Sequence, residues 1–162
     1  MPGKSFVVGL CLCALVAAGL CATNVSFLVM ETGLPPESAA SQYSAVWENG
    51  LLEVFFESGH IVSNAPRVRL ADATVPEGFP PDAEKHYRDA IAGGMDYFLI
   101  AIVDHLSHDV SLRLFSTRSG DMIAQMSYAG SAVWNTREER ENIRRAVMEM
   151  ARLFETRRRE GV

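Results

Sequence analysis

Asp104-His105-Leu106-Ser107-His108-Asp109 gathers two of the chain's four histidines and two carboxylates within six residues. Imidazole and carboxylate groups bind Zn²⁺ and similar cations, and a site needs three or four of them converging. Asp104, His105, His108 and Asp109 are therefore the candidate metal ligands. Histidines three apart share a face on a helix, whereas on a strand an odd separation sends them to opposite faces. His60 and His86 are the only other histidines, and no cysteine follows Cys21. A second reading is a solvated hairpin, because Asp and Ser suit the turn between two strands. A third is a loop that touches another protein. All three stay open at this point.

Other reaction classes find less support. There is no Gly-x-Ser-x-Gly elbow for a serine nucleophile. Ser58-Gly59-His60 reads as a helix stop followed by a strand. Gly93-Gly94 ends a helix, whereas a phosphate loop would open one. Glu53, Glu57, Asp96 and Asp104 define no acid–base pair. The residues point to no catalytic group and no cofactor. A formal net charge of −5 does not favour nucleic acid as a partner. Trp134, just before the last helix, and Arg67 and Arg69, in an irregular stretch, are the candidate protein-contact residues. The Arg-rich end at 156–160 reads as a solvated helix terminus.

The elements that must position these residues are legible from period and punctuation. Asn24 to Thr32 is rich in strand formers and stops at Gly33. Glu37 to Ser58 has helical period through Tyr43, Val46, Trp47, Leu51, Val54 and Phe55, and Gly59 ends it. His60 to Asn64 reads as a short strand. Ala65 to Pro81, about 17 residues, is long for a connection and leaves room for an edge strand at Arg67–Leu70. A second helix runs from Pro81 to Ala92, with Ala83, Tyr87, Ala90 and Ile91 as its buried face. Asp96 to Asp104 is apolar at nearly every position, as in a central strand covered on both faces. Val110 to Ser116 and Met122 to Ala129 complete an antiparallel meander whose first turn is the His-rich stretch. Thr136 and Glu139 fit a capping box for a last helix buried through Ile143, Val147, Met150, Ala151 and Phe154. The expected fold is α/β (α+β): one mixed sheet with amphipathic helices on it, in the order β-α-β-α-β-β-β-α.

Residues 1–22 read as an export signal, and 23–162 as a single domain. Lys4 precedes an uncharged apolar run, Phe6 to Leu20, of signal-segment length and short for a membrane span. Small residues at 17–19 and Ala22 favour cleavage; extension through Leu28 would instead make a retained anchor. Cys21 is a candidate lipidation site, following Ala18-Gly19-Leu20. The bulky Leu20 departs from the usual lipoprotein signal, so cleavage without lipid after Gly19 or Ala22 stays open.

Four pieces in order resemble the small α/β domain shared by the curli-secretion subunit CsgG, the penicillin-binding-protein activator LpoB and the N-terminal domain of TolB. They are the helix and strand V-W-E-N-G-L-L-E-V-F-F-E-S-G-H-I-V-S-N, the strand entry Gly94-Met95-Asp96-Tyr97, the unit V-S-L-R-L-F-S-T-R-S-G-D-M-I, and the closing amphipathic helix. Together they span most of Asn24 to Phe154. The resemblance implies a non-enzymatic protein of the bacterial envelope, at the periplasmic face of a membrane, that assembles or regulates other machinery. Its partner would be another envelope protein, and its membrane contact would come only through a lipid or an uncleaved anchor. The alternative is a metal- or small-ligand-binding periplasmic protein using Asp104–Asp109. Long barrel-forming hairpins, as in CsgG, are absent from the sequence, and so is the activator's long tether.

Overall fold

Nine residues rich in strand formers, Asn24–Thr32, form β1, nearly all of it buried. The structure, a computed structural model, describes residues 22–35, 38–39, 41–70, 78–131 and 133–160. Residues 1–21 of the proposed signal segment 1–22, Cys21 among them, lie outside the described residues, as does the middle of the irregular stretch at 71–77.

After β1 come α1 (Gln42–Glu57), β2 (Ile61–Asn64) and β3 (Val68–Arg69). A 3₁₀ turn at Pro81–Ala83 leads into α2 (Glu84–Ala92), followed by β4 (Tyr97–Asp104), β5 (Val110–Ser116), β6 (Met122–Tyr128) and α3 (Thr136–Arg159). One mixed sheet runs β2-β1-β4-β5-β6, and β3 continues the β1 edge beyond β2. β1 is parallel to β2, β3 and β4, while β4, β5 and β6 form the antiparallel meander.

β4 is central and covered on both faces, as its unbroken apolar run requires. Leu99, Ala101 and Val103 join the core beneath α1 and α3, while Phe98, Ile100 and Ile102 join the smaller core beneath α2. Gly50 lies mid-helix, where glycine normally costs about 1 kcal/mol. Here it is a contact point: a Cβ would fall 2.5 Å from Ile143 Cδ1, on α3.

Several expectations shift. α1 begins at Gln42 rather than Glu37, because the Ser41 hydroxyl accepts the N–H groups of Tyr43 and Ser44. The α3 cap sits one residue earlier than Thr136: Asn135 accepts from Glu138 N at 2.8 Å and returns its amide to the Glu138 carboxylate at 3.0 Å. That releases Glu139 to turn inward. Ile91 is 47% exposed, since the short α2 buries Ala90 and leaves Ile91 past the edge of the core. Arg113, on the α2 side of β5, is buried, its guanidinium donating to the Gly78 carbonyl beneath the chain leading into α2.

Candidate functional site at the carboxyl rim of the sheet

The His-rich turn joins β4 to β5 at the rim where β1 also ends, and the start of α1 closes over it. Glu31, next to last in β1, shares a face with Val25, Phe27 and Val29 and is only 4% exposed. Arg67 Nη1 lies 3.6 Å from Glu31 Oε1, and Arg69 Nη2 lies 3.5 Å from Oε2. Arg67 also pairs with Glu48 at 2.9 Å. Both guanidinium groups reach back to main-chain carbonyls before and at the start of α1: Arg67 to Ser41, and Arg69 to Pro35 and Ser38. The two candidate contact arginines thus clamp the chain entering α1 onto the sheet edge.

His105 faces into this cluster. Its Nε2 is 3.0 Å from Ser44 Oγ and 3.9 Å from Glu31 Oε1, and its Nδ1 is 3.5 Å from Ser41 Oγ. Serine, histidine and carboxylate are the residue types of a nucleophilic relay. In such a relay the acid orients the imidazole through one nitrogen while the other faces the serine. Here Ser44 and Glu31 both sit at Nε2, and Ser44 is completely buried. Among the described residues the arrangement is a buried polar cluster, with the Ser44 hydroxyl turned to the imidazole rather than to solvent.

Burial lowers the His105 pKa below its usual 6.5, and the Glu31 carboxylate opposes that shift. The unfolded chain therefore takes up the proton first as pH falls through 6.5, and folding stability declines there. His60, also lowered by burial, adds to the same trend. His105→Gln, which keeps a hydrogen-bonding side chain, is expected to flatten the fall in melting temperature between about pH 7.5 and 5.5. An unchanged slope would show that His105 is not the titrating group.

The other members of the turn hold the turn itself. Asp104 accepts from Leu106 N at 2.8 Å and from the Ser107 hydroxyl at 3.0 Å. Asp109 accepts from Gly130 N at 3.1 Å. His108 has a positive φ of 64°, and its carbonyl accepts the Tyr43 hydroxyl at 2.9 Å. Burial and the nearby Glu139 raise the Tyr43 pKa to about 12. Asp104, His105, His108 and Asp109 do not converge on a common point, and no group of three or more His, Cys, Asp or Glu among the described residues is placed to hold a metal ion. The solvated-hairpin reading describes Asp104, Ser107 and Asp109, while the two histidines serve the packing below.

Tyr43 is the hub of an aromatic cluster, with His105, His108 and Trp134 ring centroids at 6.3, 6.1 and 5.4 Å. Trp134 is half-buried against the core rather than standing free. Among the described residues, the exposed large apolar groups at this rim are its neighbour Val133, 87% exposed, and Leu106 at the tip of the turn, 69% exposed. Gly130 lets the two sides of the rim meet: an added Cβ would collide with the His108 carbonyl oxygen. Gly130→Ala must displace main chain. An overpacking cost of about 3 kcal/mol predicts a melting temperature roughly 6–12 °C lower, checked by circular dichroism.

Sequence reasoning missed Glu31, Ser41, Ser44 and Tyr43 as members of the rim. One signal was present: Glu31 is the only charged residue in β1, and a carboxylate in a strand of that kind must find partners.

No protein-family model matches this chain, and no curated protein does. Solved structures with a similar arrangement include the C-terminal domain of LpoB from Escherichia coli, 16% identical over 72% of this chain and 89% of that one, with a TM-score of 0.44. Lipoprotein GNA1162 from Neisseria meningitidis is 19% identical over 79% of this chain and 99% of that one, TM-score 0.44. The PelC dodecamer subunit from Paraburkholderia phytofirmans is 13% identical over 76% and 84%, TM-score 0.42. LpoB, to which the order of motifs pointed, is thus among them. Alignments this loose carry over nothing of what those proteins bind or assemble.

Proposed function

We propose that this chain is an exported envelope protein that acts by binding another protein, as an assembly or regulatory accessory, and not by catalysis. A single α/β domain would follow the signal segment at 1–22, facing the periplasm. The supporting observation is the contrast within the rim. Among the described residues, the Ser44–His105–Glu31 cluster is buried, whereas Leu106 at the tip of the turn and Val133, the chain neighbour of Trp134, stand open to solvent. Exposed apolar groups around a half-buried aromatic anchor are the composition of a protein-contact patch.

The test is site-specific photo-crosslinking in the native envelope. A benzophenone side chain at position 106 or 133 is expected to trap one discrete protein adduct, and the same probe at exposed Arg88 on α2 is not. Leu106→Asp together with Val133→Asp should abolish the adduct formed from a probe at Ser131 while leaving the circular dichroism spectrum intact. Absence of an adduct from both rim positions would defeat the reading.

A further inference from the structure

The opposite end of the sheet carries a second surface. β1 starts there, and its pairing draws the surrounding elements together: Asn24 is in register with Ile61, Val25 with Tyr97, Tyr97 with Ser116, and Phe115 with Met122. α1 and α2 both run into this end, and Phe154 near the close of α3 stacks on Tyr97 at 4.3 Å. Phe56 (75% exposed), Ile61 (58%), Ile91 (47%) and Met122 (46%) all lie here. They are four of the eight large hydrophobic side chains exposed among the described residues, and they come from four different elements. Arg118 and Arg157 are near enough to act electrostatically on Tyr97, as is Asp96. Asp121, in the β5–β6 turn, adds a further carboxylate, so apolar contact rather than net charge would dominate any docking.

The chain outside the described residues enters at this same end. Ile61 N donates to the Thr23 carbonyl, so Thr23 is already bound into the sheet edge. Only Ala22 and Thr23 separate Cys21 from β1, and the apolar run closes at Leu20. A fully extended residue spans at most ~3.6 Å, so this end of the domain would sit within about 10 Å of a lipid attached at Cys21. Aromatic and aliphatic groups flanked by arginines are the composition that settles at a bilayer interface.

We propose that the Phe56–Ile61–Ile91–Met122 end rests on the phospholipid surface to which the N-terminal segment leads, so that the Leu106–Val133 rim points away from the bilayer. The proposal rests on the export reading, with the mature chain still attached through Cys21 or an uncleaved anchor.

The test uses the full chain in vesicles of phosphatidylethanolamine and phosphatidylglycerol. A nitrobenzoxadiazole label is placed at Ser58→Cys, between Phe56 and Ile61, or at Leu106→Cys on the far rim. Signal from the native cysteines is subtracted using the unsubstituted chain. Nitroxide-bearing lipid is expected to quench position 58 several-fold more than position 106, and iodide the reverse. Phe56→Glu with Ile61→Glu should remove the lipid quenching at 58 while the chain still sediments with the vesicles. Iodide access at 58 equal to that at 106 would overturn the proposal. So would a position 58 shielded from iodide but untouched by lipid nitroxide, which would mean that protein, including a second copy of this chain, covers it. A chain that fails to sediment would remove the attachment reading and this inference together, whereas sedimentation without quenching at 58 overturns this inference alone.

Discussion

Trp47→Ala is expected to lower the free energy of unfolding by about 3–5 kcal/mol, the range for emptying a large aromatic site. Against a typical total of roughly 5–15 kcal/mol, that removes a fifth or more of the stability. Trp47 is completely buried between the sheet and the two long helices. Its ring lies 5.7 Å from that of Tyr128, and its Nε1–H donates to Glu139 Oε2 at 3.0 Å. The cavity is only part of the loss. Burial raises the Glu139 pKa above its usual 4.5, and the indole N–H is the main influence opposing that rise. A carboxyl with a raised folded-state pKa holds its proton more tightly when folded, so it costs stability as pH climbs through 4.5 toward the folded value. Removing the indole raises the folded value further. The Trp47→Ala deficit should therefore be larger at neutral pH than below the carboxylate range. Trp47→Phe, which keeps most of the packing, should lose about 1–3 kcal/mol through the unmade hydrogen bond. Denaturant titration of both variants at two pH values separates the packing loss from the charge loss. Equal deficits at both pH values would mean that the indole does not shelter the carboxylate.

Glu31→Ala acts at the rim instead, and its effect differs in kind. Removing one partner of a fully buried ion pair costs about 3–5 kcal/mol. The Glu31 side chain is 5% exposed, but Arg67 and Arg69 are 27% and 26% exposed. Arg67 also keeps Glu48 at 2.9 Å. Solvent and that second partner reduce the expected loss to about 2 kcal/mol. The damage should be local. The two arginines hold the carbonyls of Pro35, Ser38 and Ser41, so the chain leading into α1 should become sensitive to protease before the sheet does. His105 would then face burial without the opposing carboxylate, and its pKa should fall further. The acid-side loss of stability should steepen accordingly. Limited proteolysis with peptide mapping, alongside a pH series of melting curves, checks both outcomes. Uniform loss of protection across the chain would show that Glu31 supports the whole fold rather than the rim.

These two residues illustrate what a linear reading reaches. The spacing of Trp47 from Tyr43, Leu51, Val54 and Phe55 is helical and puts it on one apolar face, and that spacing is a property of neighbours in sequence. Its bond to Glu139, 92 positions away, has no such signature. Glu139 itself was read as part of a cap, because Thr136 and Glu139 satisfy the capping pattern as well as Asn135 and Glu138 do. Burial against Trp47 selected between two caps that the local pattern left nearly equal.

By itself the sequence determined the three helices, five of the six strands and their order, and left room for the short β3. It identified β4 as the central strand, the glycine that ends α1 and the meander that carries the His-rich stretch, because runs of apolar spacing and positive-φ glycines act over a few residues. Tertiary structure alone decided that His105 turns inward to Ser41 and Ser44, 64 and 61 residues away. It also decided that Arg67 and Arg69 close on Glu31, that Arg113 is buried, and that Ile91 is left exposed. The physical reason is that a polar side chain's role depends on which groups lose water beside it, and the packing of distant elements sets that.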